Sequence, residues 1–202
     1  MIKLYCFPRS GNSREVKLVL AEKGIPFEKV NIRDAGFDKE APEFKKASPR
    51  GTVPAIVDGD VHMSEAYAIN EYLESKHPSA PLLPADPAKR EEIRKWVAAY
   101  DKRLALKIGL LLIETLLKPK EQQKEEVKVK LWEDAVASMR ELDVLLQGKE
   151  YLFGVYSLAD ISMTPHLAAL HRVGKEIPAE FTNLRKWMER VKGRPSFGAT
   201  LE

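Results

Sequence analysis

The sequence predicts an α/β domain of about eighty residues followed by an all-helical domain. Three observations carry this. Strand and helix patterns run βαβ and then ββα as far as Lys76. Four prolines (Pro78, Pro81, Pro84 and Pro87) then fall within ten residues. Beyond them every apolar pattern has a helical period. The domains are read as 1–77 and 88–202, with a linker over 78–87.

Ile2 to Cys6 is a short apolar run and reads as a buried strand. The turn-rich stretch Phe7-Pro8-Arg9-Ser10-Gly11-Asn12-Ser13 follows, with Ser13 as the expected N-cap of a helix from about Arg14 to Lys23. Gly24 stops that helix. Phe27 to Ile32 alternates as a strand with one wetter face does. Strand, helix and strand in this order predict a parallel pair. Arg33 to Pro49 carries a weak helical repeat. A hairpin turn is predicted at Asp58-Gly59-Asp60, then a helix from about Ala66 to Lys76.

After the linker, a helix begins at Asp86 or Pro87 and runs as far as Leu117, with a bend expected near Gly109. Lys118-Pro119-Lys120 breaks it. Further helices are predicted over about Glu121 to Leu146, from Ser157 onward, and over Phe181 to Val191. Ser157 and Asp160 have capping-box spacing, a folding role.

Gly51-Thr52-Val53-Pro54-Ala55-Ile56 breaks the pattern. Val53, Ala55 and Ile56 read as buried strand, yet proline has no N–H for a ladder. The backbone leaves the ladder at Pro54, through a cis Val53–Pro54 bond in a tight turn or a trans proline in an ordinary loop, or Pro54 sits at a strand's edge. The cis form would turn the N–H and C=O of Val53 out at the sheet, where an extended peptide could pair with them.

The bulk numbers narrow the function classes. A net charge of +3 is too small to imply nucleic acid or a membrane surface. One cysteine, Cys6, excludes an intrachain disulfide and a cysteine-rich metal site. The four histidines are dispersed, and no metal is expected. Lys3 is followed by only Leu4 to Pro8 before Arg9, which is no signal peptide, so a cytoplasmic protein is expected.

On residues alone, Ser10 is a cap or turn residue, or a hydroxyl placed where helix N–H groups favour an anion. Glu65 at a helix start is good capping.

Four stretches, in their order and spacing, resemble the cytosolic glutathione transferases over essentially the whole chain. Residues 7–16 resemble the catalytic serine turn and 51–56 the cis-proline strand. Glu65-Ala66-Tyr67-Ala68-Ile69 resembles the acid and helix that hold the γ-glutamyl end, and Ser157-Leu158-Ala159-Asp160-Ile161 the helical domain's buried capping box. The serine-type members, such as the zeta, phi and related bacterial classes, look closest.

The resemblance implies a thioredoxin-like first domain with a mixed sheet, and a helical second domain. It implies glutathione as co-substrate, a small-molecule electrophile as its partner, and a homodimer. Ser10 would stabilise the glutathione thiolate, with Asn12 as a second donor. Val53 and Pro54 would present backbone to the cysteinyl part, and Thr52 and Lys39 would add side-chain contacts. Glu65 would hold the α-amine and Ala66 the γ-glutamyl carboxylate. Arg9, Tyr100, Arg103 and Lys107 would line a second-substrate cleft. The chain departs from the family at Ala66, where serine is usual, so only the N–H remains there, with Ser64 on the other side of Glu65. Conjugation to small apolar electrophiles is the leading expectation. The alternatives are a maleylacetoacetate-type isomerase, with Arg9 or Arg103 for the diacid, and a non-catalytic binding protein that retains the fold.

Overall fold

In the computed structural model, which describes residues 1–201, the chain forms two compact units. Residues 1–82 and the terminal segment from Pro195 make the first, and residues 83–194 the second.

The first unit is a four-stranded mixed sheet with helices. Strands β1 (Ile2–Cys6), β2 (Phe27–Asn31), β3 (Ala55–Asp58) and β4 (Val61–Ser64) stand in the order β2-β1-β3-β4. The predicted parallel pair is present, with Ile2 opposite Phe27 and Cys6 opposite Asn31. β3 runs antiparallel to both neighbours. It is therefore central, and Ala55, Ile56 and Val57 are buried.

Helix α1 (Gly11–Glu22) lies between β1 and β2 in sequence, α2 (Pro42–Ala47) between β2 and β3, and α3 (Ala66–Lys76) after β4. Lys3 and Tyr5 both donate to Glu43 of α2, at 2.6 and 2.5 Å, and tie that helix to β1. Tyr5, Phe44 and Ala47 are buried together, with Val53 packed against them. The short α9 (Pro195–Ala199) joins this unit, and Arg14 donates to the Phe197 carbonyl at 3.3 Å.

A buried ion pair closes the end of α3. Lys23 Nζ lies 2.6 Å from Glu74 Oε2 and donates to the His77 carbonyl at 2.8 Å. Both carboxylate oxygens of Glu74 accept the Leu82 N–H at 3.1 Å. Each buried charge thus has the several partners that offset its desolvation.

The second unit is all helical. From Pro87 to Leu117 the chain winds continuously: α4 (Pro87–Tyr100), a π-wound stretch (Asp101–Ala105), α5 (Leu106–Leu112) and a second π-wound stretch (Ile113–Leu117). Gly109 sits inside regular α5, so the irregularity lies at the two π stretches rather than at that glycine. The next helix, α6 (Glu125–Leu145), begins later than expected, after a short 3₁₀ turn over Lys120–Gln122. It packs against α5 and against α8 (Thr182–Lys192).

The capping box at α7 (Leu158–Ala168) is complete. Asp160 accepts from Ser157 N–H (3.0 Å), Ser157 Oγ (3.2 Å), Leu152 N–H (3.0 Å) and Trp187 Nε1 (2.8 Å). Burial pushes this carboxyl above its usual range, and the four donors pull it back. No helix among the described residues is long and apolar enough to cross a membrane.

Candidate active site

The loop after β1 delivers Ser10 to the start of α1. Helix α1 begins at Gly11, and its N-cap is Ser10, with extended backbone (φ −83°, ψ 118°). The Ser13 N–H donates to Ser10 Oγ at 3.2 Å. This corrects the expectation that Ser13 caps a helix from Arg14. Ser13 is fully buried in the first turn, and its own Oγ accepts from Phe7 N–H at 3.5 Å. Burial of that side chain beside the loop leaves the capping position to Ser10.

A capping hydroxyl accepts with a lone pair and keeps its proton. Ser10 is half-buried, so its O–H can donate to a group at the helix N-terminus. The unpartnered N–H groups and macrodipole there favour an anion. Asn12 and Arg9 are exposed on either side of Ser10, and Cys6 is buried in β1.

The second component is the turn before β3. The Val53–Pro54 bond is cis. Both ladders of β3 begin at Ala55, so Val53 stands ahead of the ladder. The buried Ser48 holds this turn: its Oγ accepts the Thr52 N–H at 2.8 Å and donates to the Thr52 carbonyl at 2.7 Å. Gly51, at φ +66°, makes the reversal between them in a region that side chains disfavour. Ser48 was missed in the sequence, where its one signal is a small polar residue four positions before Thr52 in a Pro/Gly turn. Thr52 and Lys39 are exposed, Lys39 in the segment before α2.

The third component is the start of α3. Glu65 stands at φ +76°, a strained conformation for a non-glycine residue, and its side chain makes no cap. The capping role is thereby absent. Instead, the exposed carboxylate forms an ion pair with Arg50. Ala66 opens the helix, is nearly buried, and offers its backbone N–H.

Three of the second-substrate candidates lie within the helical unit and are engaged there. Tyr100 Oη donates to Glu141 at 3.3 Å, and Arg103 pairs with the same carboxylate. Burial, with Glu141 beside it, pushes the Tyr100 hydroxyl up. Lys107 Nζ lies 3.3 Å from Asp134. Among the described residues no cluster could hold a metal ion.

Comparison with known proteins places this architecture in one class, the two-domain transferases. The sequence profile of the glutathione S-transferase N-terminal domain fits residues 4–81, and that of the C-terminal domain fits residues 87–190. The chain belongs to the cytosolic glutathione transferase family.

Its relatives include glutathione S-transferase Z2 of Arabidopsis thaliana, 43% identical over 89 residues. That match spans 44% of this chain and only 40% of the relative. Glutathione S-transferase 3 of Zea mays is 30% identical over 99% of this chain and 93% of its own. A glutathione transferase structure from Burkholderia graminis, with two glutathione molecules bound per subunit, superposes with a TM-score of 0.87. It is 26% identical and covers 99% of this chain and 87% of its own.

Proposed function

We propose that the protein is a glutathione S-transferase that joins the glutathione thiolate to small apolar electrophiles. The observation that carries this reading is the Ser10 hydroxyl, fixed as N-cap of α1 with its proton still to give. Donation from Oγ to the sulfur favours the charged form and lowers the thiol's pKa. The sulfur then bonds to an electrophilic carbon, and the leaving group departs with its electron pair. Asn12 is a second donor at the same helix end.

The remainder of the peptide is read along the other two components. Val53 and the cis Pro54 turn offer backbone to the cysteinyl part, with Thr52 beside them and Lys39 toward the glycyl carboxylate. Glu65 takes the α-amine, and the Ala66 N–H takes the γ-glutamyl carboxylate. An apolar electrophile is supported by the exposed Leu106, Leu110, Ile113 and Leu116 of the helical unit. Tyr100, Arg103 and Lys107 would add polarity to that second site within the helical unit. Family membership supports a homodimer, for which sedimentation should give twice the chain mass.

The test is retention on immobilised glutathione, followed by turnover of a panel holding alkylating electrophiles, hydroperoxides and a maleyl diacid. Conjugation of the first group alone is expected. Retention without turnover of any member would make the protein a binding module, and turnover of the diacid alone would make it an isomerase.

A further inference from the structure

The ion pair at the start of α3 has the charge pattern of an α-amino acid in reverse. Glu65 supplies a carboxylate and Arg50 a guanidinium, in contact with one another and both open to solvent, their side chains 60% and 72% exposed. An exposed pair of this kind contributes little to folding. Arg50 lies in the turn that Ser48 holds, directly before Gly51, and Glu65 directly before α3. The pair therefore joins two of the three components of the site. The strained backbone of Glu65 goes with a side chain that does not cap its own helix.

We infer that Arg50 is a specificity residue that takes the α-carboxylate of the γ-glutamyl group while Glu65 takes the ammonium on the same carbon. This rests on the reading of the site as a glutathione site. The exchange is balanced in charge: each protein group gains a ligand charge of opposite sign, and none is left unpaired. The contact with Glu65 uses Nη2 of Arg50. A guanidinium carries five N–H donors in a planar fork, so it can hold Glu65 on one side and a second carboxylate on another. Residue 66 is alanine and gives the carboxylate one backbone N–H and no hydroxyl. Arg50, in contact with the adjacent Glu65, supplies a second partner for the carboxylate.

The experiment compares two peptides, glutathione and γ-aminobutyryl-cysteinyl-glycine, which keeps the amine and lacks the α-carboxylate. Calorimetric titration of the wild-type protein should favour glutathione by about tenfold, the range of a hydrogen bond to a charged group in a wet site. Arg50→Ala should weaken glutathione about fivefold and leave the truncated peptide within twofold, so that most of the preference is lost and the Ala66 N–H holds the remainder. Arg50→Lys, with charge and no fork, should fall between. Glu65→Gln should weaken both peptides. Unchanged circular dichroism and melting of Arg50→Ala would show an intact fold. Equal losses for both peptides, or tighter glutathione binding in Arg50→Ala, would overturn the role of Arg50 and leave the glutathione site standing. Wild-type protein that binds neither peptide would overturn that site and the role of Arg50 with it.

Discussion

Ser10 carries two loads that can be separated. It caps α1 by accepting the Ser13 N–H at 3.2 Å, and its remaining proton is proposed to stabilise the thiolate. Ser10→Ala removes both. Loss of the cap should cost about 0.5–2 kcal/mol of stability. For a chain of this size each kcal/mol lowers Tm by roughly 2–4 °C. Loss of the donor acts on the bound thiol instead. A hydrogen bond to a charged group is worth about 1.5–3 kcal/mol. One pKa unit is about 1.4 kcal/mol, so the thiol should rise by roughly one to two units. Conjugation at neutral pH should fall about ten- to a hundredfold, and the deficit should shrink at high pH, where the thiol ionises unaided.

Ser10→Gly is the separating variant, because glycine at an N-cap costs only a few tenths of a kcal/mol. It should keep nearly the full Tm and show the same raised thiol pKa as Ser10→Ala. The assay is thiolate absorbance against pH with the proteins saturated in glutathione, beside a thermal melt. A wild-type titration curve in Ser10→Gly would remove the hydroxyl from the mechanism. The N–H groups of α1 or the Asn12 amide would then be the source of any lowered pKa.

Three further perturbations follow from the packing. Ser48→Ala strips Thr52 of both hydrogen bonds that hold its turn; denaturant titration should show a loss of about 1–2 kcal/mol, and glutathione should bind roughly three- to tenfold more weakly, about 0.7–1.4 kcal/mol. Asp160→Ala leaves the buried N–H groups of Leu152, Ser157 and Trp187 without their acceptor, so urea unfolding should register a loss of about 3–5 kcal/mol. His166 is buried in α7, and burial holds its pKa down at about 4 against 6.5 for the free imidazole. The unfolded chain therefore takes up that proton first: stability is complete above pH 6.5 and is lost as pH falls toward 4, by about 3 kcal/mol in all. Unfolding free energies of His166→Leu should lack this decline, and parallel pH profiles for the two proteins would refute it.

Much of the fold, and the places of the candidate-site residues in it, was legible because these signals are short in sequence. Ser157 and Asp160 lie three residues apart, within reach of one helical turn, so their capping box could be read directly. Proline amid strand residues at 54 announced a break in the ladder, since the missing N–H is a property of the residue itself. Strand and helix order follows from period in the same local way. Glu65 and Ser10 were marked by their places at helix starts.

The contacts that complete these features were not local, and only the tertiary structure decided them. Ser10 and Ser13 are both good caps, and the choice between them fell to the burial of Ser13 beside the loop after β1. Trp187 reaches Asp160 across 27 residues, and the buried Asn70 meets Glu15 across 55, at 2.7 Å. Arg50 finds Glu65 fifteen residues away because the turn before β3 and the start of α3 come together at one end of the sheet unit. Periodicity assigns a residue to a face of its own element. Which polar group it meets there depends on how separate elements pack, and no spacing along the chain records that.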